Sequence, residues 1–247
     1  MFCTSSYKVE RICTDLCAEP LLCTLSYNLG RHPVANEIHA VLIADVVASS
    51  AHKNMRAQLE RKLAAASEKH LKQKLIRFPY TVTAGDEFQT ITAKLAQVPA
   101  LLLELRASLW PLSLRIGVGI GEIADRLQPP VNRLTGPAFQ FARQGIDNVK
   151  ARALFKFETL TAFASLNQPF DQTINLLYGL HDTLVSQVTA RQWETIRQFL
   201  DHPTLEQTAK RLRLDISTVS RNLKRGYYWQ LAETAGAAGA CIERAFS

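Results

Sequence analysis

The chain runs to 247 residues, of which 47% are hydrophobic and 21% charged, with a formal net charge of +7 at pH 7. This composition excludes a disordered or fibrous chain and bounds the molecule at one large globular domain or two small ones. The basic balance favours anionic partners such as nucleic acid and nucleotides, and no apolar run reaches the ~18–20 residues of a membrane-spanning helix, so a cytoplasmic protein with no membrane partner is expected.

Residues 1–37 show no clear periodicity and read as an irregular N-terminal extension without the apolar core of a signal peptide. Four of the five cysteines, Cys3, Cys13, Cys17 and Cys23, fall there, and Cys241 stands near the other end. No C-x-x-C pair or His cluster accompanies them, so reduced thiols are expected rather than a zinc site or a disulfide framework.

The run from Ala40 to Val47, A-V-L-I-A-D-V-V, suits a central strand covered on both faces. Its one acid, Asp45, must be hydrogen-bonded, paired or metal-bound if buried. Ser49 and Ser50 offer N-caps for a helix reaching about Leu75. The stretch T-V-T-A-G-D-E-F-Q-T-I, Thr81 to Ile91, places strand-forming residues on each side of Gly85-Asp86 and predicts a tight hairpin. A helix over 95–109 follows, ended by Pro111. The stretch 112–121 predicts a strand whose glycines mark close backbone approach. Gly136-Pro137 opens a helix to Val149, and 153–157 predicts a last strand.

Strand, helix, hairpin, helix, strand is the order of a ferredoxin-like α+β palm with a βαββαβ core. A right-handed crossover sets the first two strands parallel, with the third between them, so the hairpin tip lies at the C-terminal end of the first strand. Asp45 and Asp86 are then expected to meet, with the helix start at Ser49-Ser50 opening beside them. Two carboxylates in that position suit Mg²⁺ or Mn²⁺, and helix-start amides favour a phosphate. The metal ligands expected from this geometry are Asp45 and Asp86. The expected phosphate or nucleotide contacts are Val46, Val47, Ser49, Ser50, Lys53, Arg115 and Arg143. The alternative leaves Asp45 as a structural acid and Asp86 as a turn residue.

Beyond Phe157 the sequence turns helical. Residues 171–188 carry Ile174, Leu177, Leu180, Leu184 and Val188 at helical spacing, a connector or dimerisation helix unless it simply packs on the palm. Residues 191–200 form another helix. Thr204-Leu205-Glu206-Gln207 reads as a capping box opening a short helix to about Arg213. A turn at 214–216 leads to S-T-V-S-R-N-L-K-R, with Ala209, Leu212, Leu214, Ile216, Val219 and Leu223 expected inward. This resembles the helix-turn-helix of sigma-factor region 4 and many bacterial regulators. Its second helix would offer Ser217, Thr218, Ser220, Arg221, Lys224 and Arg225 to the major groove. The Ala- and Gly-rich tail from Thr234 predicts at most a weak last helix.

Taken together, Ile43 to Ser49 (I-A-D-V-V-A-S), Gly85 to Phe88 (G-D-E-F), Leu114 to Gly119 (L-R-I-G-V-G) and Gly136 to Arg143 (G-P-A-F-Q-F-A-R) resemble the SatD family over about 40–157. More remotely the layout is similar to the catalytic domain of class III nucleotide cyclases and GGDEF diguanylate cyclases. That likeness implies metal-binding acids at Asp45 and at Asp86 or Glu87. It also implies catalysis by Asp45, Asp86 and Arg143 if the domain is active. Val82 stands where the cyclases carry a base-selecting Lys, Ala84 where GGDEF proteins have their first Gly, and Arg143 one place before the cyclase Arg.

The expected organisation is an extension over 1–37, a palm over 38–165, a connector over 166–190 and a helix-turn-helix domain over 191–247. The expected function is a homodimeric regulator that binds double-stranded DNA and senses a nucleotide or phosphate ligand. The alternatives are a metal-dependent nucleotide cyclase or nucleotidyl transferase, and a palm that serves only as a dimerisation scaffold.

Overall fold

Eight consecutive residues, His39–Val46, form β1, and all eight are buried. The structure, a computed structural model, describes residues 37–48 and 54–247, so nearly all of the expected extension, with Ser49, Ser50 and Lys53, lies outside the described residues. β1 is buried on both sides because it is the middle strand of five. Around it lie β2 (Thr81–Ala84), β3 (Glu87–Thr92), β4 (Leu114–Gly121) and β5 (Thr161–Ala164), in the order β2-β3-β1-β4-β5. β1 runs antiparallel to both β3 and β4, and β5 is added parallel to β4. With α1 (Met55–Lys72) after β1 and α2 (Val98–Leu109) before β4, the βαββαβ order expected from the sequence is the one observed. β3 lies between β1 and β2, and the hairpin tip falls at the C-terminal end of β1.

Alternation along β1 sorts the two faces. Ala40, Leu42, Ala44 and Val46 join the core formed with α1 and α2, including Leu59, Leu63, Leu101, Leu102 and Leu105. Val41 and Ile43 face α3 (Pro137–Lys150), packing with Ala138, Ala142 and Ile146. α3 lies directly on β4. A Cβ on Gly117 would overlap the Ala142 carbonyl oxygen, and one on Gly119 that of Ala138, so the L-R-I-G-V-G pattern is what admits the helix at this distance.

Two elements depart from the expectation. α1 begins at Met55, with Asn54 in the left-handed conformation before it, rather than at Ser49-Ser50. The last strand is Thr161–Ala164, not 153–157. Phe155 and Phe157 stack on each other at 5.0 Å and pack over Gly179 instead of entering the sheet.

β5 is an edge strand whose outer backbone groups need partners. α4 (Gln168–Gln187) supplies them from side chains on one face. Leu160 N–H donates to Asp182 Oδ2 at 2.8 Å, Phe163 N–H to Asn175 Oδ1 at 2.7 Å, and Ser165 N–H to Asp171 Oδ2 at 2.8 Å. Asn175 Nδ2 returns a bond to the Phe163 carbonyl at 2.9 Å. α4 thus packs on the palm, and its polar residues complete the sheet edge. Behind them, buried Arg106 donates to the Leu114 carbonyl at 2.7 Å and Thr161 Oγ1 at 2.8 Å, and lies 3.5 Å from Asp182.

The remaining helices are α5 (Ala190–Asp201), α6 (Leu205–Leu212), α7 (Ile216–Arg225) and α8 (Tyr228–Phe246). Thr204 Oγ1 accepts from the Gln207 N–H at 3.2 Å, but the expected return bond from Gln207 is replaced by one from the Thr204 N–H to the His202 carbonyl at 2.8 Å, and the full reciprocal capping box is at Thr189 and Gln192, opening α5. α8 is no weak tail. Its 19 residues bury Leu231, Ala235, Ala238, Gly239 and Ile242, and Ala238 and Ile242 sit in the same core as the sheet. Gly239 lies where a Cβ would overlap the Ala96 carbonyl oxygen, so the small residues that weaken its sequence signal are the ones that let it dock.

A second apolar core joins Leu103 and Ala107 of α2 to Trp193, Ile196, Phe199, Ala209, Val219, Leu223 and Leu231. Trp110 stacks on Trp193 at 5.9 Å, and Lys69 of α1 bridges Glu104 of α2 and Asp201 of α5 at 2.9 and 2.8 Å. The described residues, 37–48 and 54–247, form one compact unit.

Candidate functional site

At the C-terminal end of β1 three strands place charges side by side. Asp45 is registered opposite Arg115 of β4, and Glu87 of β3 stands one step beyond the registered pair of Ala44 and Phe88. Gly85, at φ +60° with open space around it, turns the hairpin that carries Glu87. Asp45 continues the Val41-Ile43 face, so it lies on the α3 side of the sheet. Arg143 and Lys150 approach from α3, two turns apart.

Every oxygen of the two carboxylates has a cation. Arg115 Nε donates to Asp45 Oδ1 at 2.8 Å, and Lys150 Nζ lies 2.8 Å from Asp45 Oδ2. Arg143 forms a fork on Glu87, with Nη1 and Nη2 each 2.7 Å from an oxygen. Lys150 Nζ is also 3.9 Å from Glu87 Oε2, and Thr83 Oγ1 donates to Glu87 Oε1 at 3.1 Å. The Arg143 hydrogen bonds hold the Glu87 carboxyl below the usual carboxylate range against the opposing effect of burial, and the same bonds raise the Arg143 pKa.

The layering is uneven. The Asp45 and Glu87 side chains are 6% and 14% exposed, whereas those of Arg115, Lys150 and Arg143 are 31%, 36% and 46% exposed. The buried Asp45 and half-buried Glu87 anchor the cations, which are the more exposed members of the pairs. Arg115, Arg143 and Lys150 stand over Asp45 and Glu87, with the exposed Asp147 of α3 also acting on Arg143. Guanidinium and ammonium groups held in this way suit an anion, phosphate above all.

The same geometry bears on a metal. A divalent cation needs free carboxylate oxygens, and Mg²⁺ needs several in near-octahedral array. Here each oxygen of Asp45 and Glu87 is held by an ammonium or guanidinium group, which leaves Asp86 as a single uncommitted carboxylate. Among the described residues no group of three or more His, Cys, Asp or Glu is placed to hold a metal ion. These side chains, as arranged, do not fit Mg²⁺ or Mn²⁺.

The other expected residues are placed as follows. Asp86 is half-buried at the hairpin tip with no bonded partner among the described residues, and its neighbour Glu87 is the acid linked to Asp45 through Lys150. Val46 is buried in β1, and the Val47 N–H donates to the Ser113 carbonyl at 2.8 Å, so that amide is already used. Ser49, Ser50 and Lys53 lie outside the described residues. Lys150 is the residue that sequence reasoning missed. Its signal was the spacing of Arg143, Asp147 and Lys150 along one helix face.

α6 and α7 form the second candidate surface. The turn between them is Arg213, in the left-handed conformation at φ 53°, then Leu214 and Asp215. Ala209, Val219 and Leu223 are buried, while Ile216, expected inward, is 45% exposed, and Leu214 makes the apolar contact at that end. Asn222 Nδ2 donates to Thr195 Oγ1 at 3.2 Å and pins α7 to α5. Ser217, Ser220, Arg221, Lys224 and Arg225 are exposed, and Thr218 is half-buried. Ser217, Ser220, Arg221 and Lys224 fall on one face by their i, i+3, i+4 and i+7 spacing. From Leu205 to Arg225 the sequence carries six cations, Lys210, Arg211, Arg213, Arg221, Lys224 and Arg225, against two acids, Glu206 and Asp215.

A palm-like sheet layer with a charged cluster at the end of its central strand, joined to a helix-turn-helix, defines the architecture. The chain belongs to the SatD family, whose model matches residues 39–227. No curated protein matches the sequence. Among solved structures, a bacterial light-regulated adenylyl cyclase is similar at 13% identity and TM-score 0.36, over 51% of this chain and 74% of that one. A regulator of polyketide synthase expression from Bifidobacterium adolescentis is similar at 16% identity and TM-score 0.27, over 85% of this chain and 86% of that one. Likenesses this distant say nothing about activity. Among the described residues no helix is long and apolar enough to cross a membrane.

Proposed function

We propose that this protein is a DNA-binding transcriptional regulator whose palm-like part binds a phosphate-bearing ligand. The observation that carries the reading is α7, a ten-residue helix that buries Val219 and Leu223 and leaves Ser217, Ser220, Arg221, Lys224 and Arg225 outward. Hydroxyls near the start of such a helix suit phosphate and base contacts. Arg221 on the same face suits a bidentate contact to guanine or a phosphate. Lys210, Arg211 and Arg213 extend the basic surface beside it.

The ligand reading rests on Arg115, Arg143 and Lys150, held over their buried acids. Lys69, Glu104 and Asp201, with the Trp110–Trp193 stack, supply packed contacts through which ligand binding is relayed to α5–α7. One helix-turn-helix reads only a short half-site, so the regulator acts as a dimer. The surface for pairing is the outer face of α4. Thr173, Leu176, Leu180, Thr183 and Gln187 are exposed there, no charge stands among them, and Leu176 and Leu180 are 50% and 59% exposed. A two-fold contact sets each residue near its own copy, where like charges repel. In a chain of net charge +7, an uncharged helix face suits that contact.

The test of DNA recognition is Arg221→Ala, measured by fluorescence anisotropy on an operator selected from random sequence. The expected result is a loss of about 1–3 kcal/mol in specific affinity with the fold unchanged by circular dichroism. Unchanged operator affinity removes α7 as the reading helix.

A further inference from the structure

The sequence raises a metal at the Asp45 end of β1, and the side chains there do not fit one. We infer that Lys150 takes the place of a divalent cation, so that the site holds the phosphate of its ligand without metal. The inference rests on the phosphate reading above and makes that reading specific.

Lys150 reaches from the last turn of α3 to the gap between β1 and β3. Its ammonium lies 2.8 Å from Asp45 Oδ2 and 3.9 Å from Glu87 Oε2, the position of a cation bridging two acids from neighbouring strands. Arg115 and Arg143 occupy the remaining oxygens. A metal entering here must displace an ammonium and then stand beside two guanidinium groups, whose like charge opposes it.

An arriving phosphate meets donors that are still free. Arg115 spends only Nε on Asp45, and both of its terminal nitrogens have no partner among the described residues. Arg143 spends both terminal nitrogens on Glu87 and keeps Nε. The Lys150 ammonium has three N–H groups and uses one on Asp45 at hydrogen-bond distance. The free donors belong to side chains that are 31%, 46% and 36% exposed, so the cluster is open to solvent. Asp45 and Glu87 serve as positioning residues that hold the cations in register before a ligand arrives.

The test has two arms, both on the full chain. Mn²⁺ alone is titrated while free Mn²⁺ is followed by electron paramagnetic resonance, with wild type and Asp45→Asn compared. The expected result is no saturable site that Asp45→Asn removes, and such a site at sub-millimolar affinity overturns the inference. Inorganic pyrophosphate is then titrated by calorimetry, in EDTA and in Mg²⁺. Wild type is expected to bind equally in both. Lys150→Met is expected to bind about tenfold or more weakly, through loss of a charge-assisted contact, and Lys150→Arg to stay near wild type. Binding that EDTA abolishes, or Lys150→Met binding like wild type, overturns the inference and leaves the phosphate reading standing. Absence of pyrophosphate binding in every condition defeats the phosphate reading itself, and the inference with it. The Lys150→Arg variant separates a loss of charge from a loss of folding.

Discussion

Glu87 accepts a two-pronged bond from Arg143 and a third from Thr83, and its carboxyl is held below the usual range chiefly by Arg143. A depressed carboxyl pKa stabilises the fold at pH values above the unfolded-state value, near about 4.3 for Glu, and that contribution is lost as pH falls through the folded value. The stability of wild type over Glu87→Gln, measured by urea denaturation, is therefore expected to be positive at pH 7 and to shrink below about pH 4. A difference that does not change with pH contradicts the pairing. Arg106 predicts a larger effect because it is buried. Arg106→Ala leaves Asp182 without its cation and the Leu114 carbonyl without its donor, and is expected to cost about 3–5 kcal/mol in denaturant unfolding. The sequence marked Asp45 as the odd residue in an apolar strand, and a buried acid does have to be paired. It did not separate Asp86 from Glu87, because which of two adjacent acids turns toward β1 depends on register past the bulge between β2 and β3. Lys150 was passed over for a simpler reason. A lysine in the last turn of a helix is the ordinary complement of the helix dipole, and only the fold brings Asp45 to it.

At the scale of elements, periodicity was a good guide wherever hydrogen bonds run backbone to backbone. β1, the Gly85 hairpin, β4 and the α6–α7 pair were all legible, and the Gly117 and Gly119 positions announced the close passage of α3. β5 was not, because it has four residues and its outer hydrogen bonds go to Asp171, Asn175 and Asp182. Those residues look like ordinary polar positions on an amphipathic helix, yet they are buried and the leucines opposite them are exposed. The reversal itself makes a prediction. If the outer face of α4 joins two copies, the double substitution Leu176→Arg and Leu180→Arg is expected to give a monomer by light scattering. Operator affinity should then fall while the circular dichroism spectrum stays unchanged. A dimer that survives both substitutions places the pairing surface elsewhere.

For the whole molecule, α8 decides how the parts are joined. The Ala- and Gly-rich sequence suggested a weak last helix, since small side chains contribute little to a hydrophobic pattern, but Ala238 and Ile242 sit in the sheet layer's core and Gly239 packs on the Ala96 backbone. Ending the chain at Gly226 is accordingly expected to do more than shorten it. Removal of α8 uncovers part of the first core, and the product is expected to be insoluble or to melt well below wild type, as seen by thermal denaturation. A truncated chain with unchanged melting temperature contradicts that packing. The same helix sets a mechanical condition on any signal between palm and DNA. A recognition unit attached at one point swings freely, whereas this one leaves the sheet through α4 and α5 and comes back to it through α8. With α5 also held to α2 through the second core and to α1 through Lys69 and Asp201, α7 is carried along with any shift of the sheet layer instead of swinging on its own.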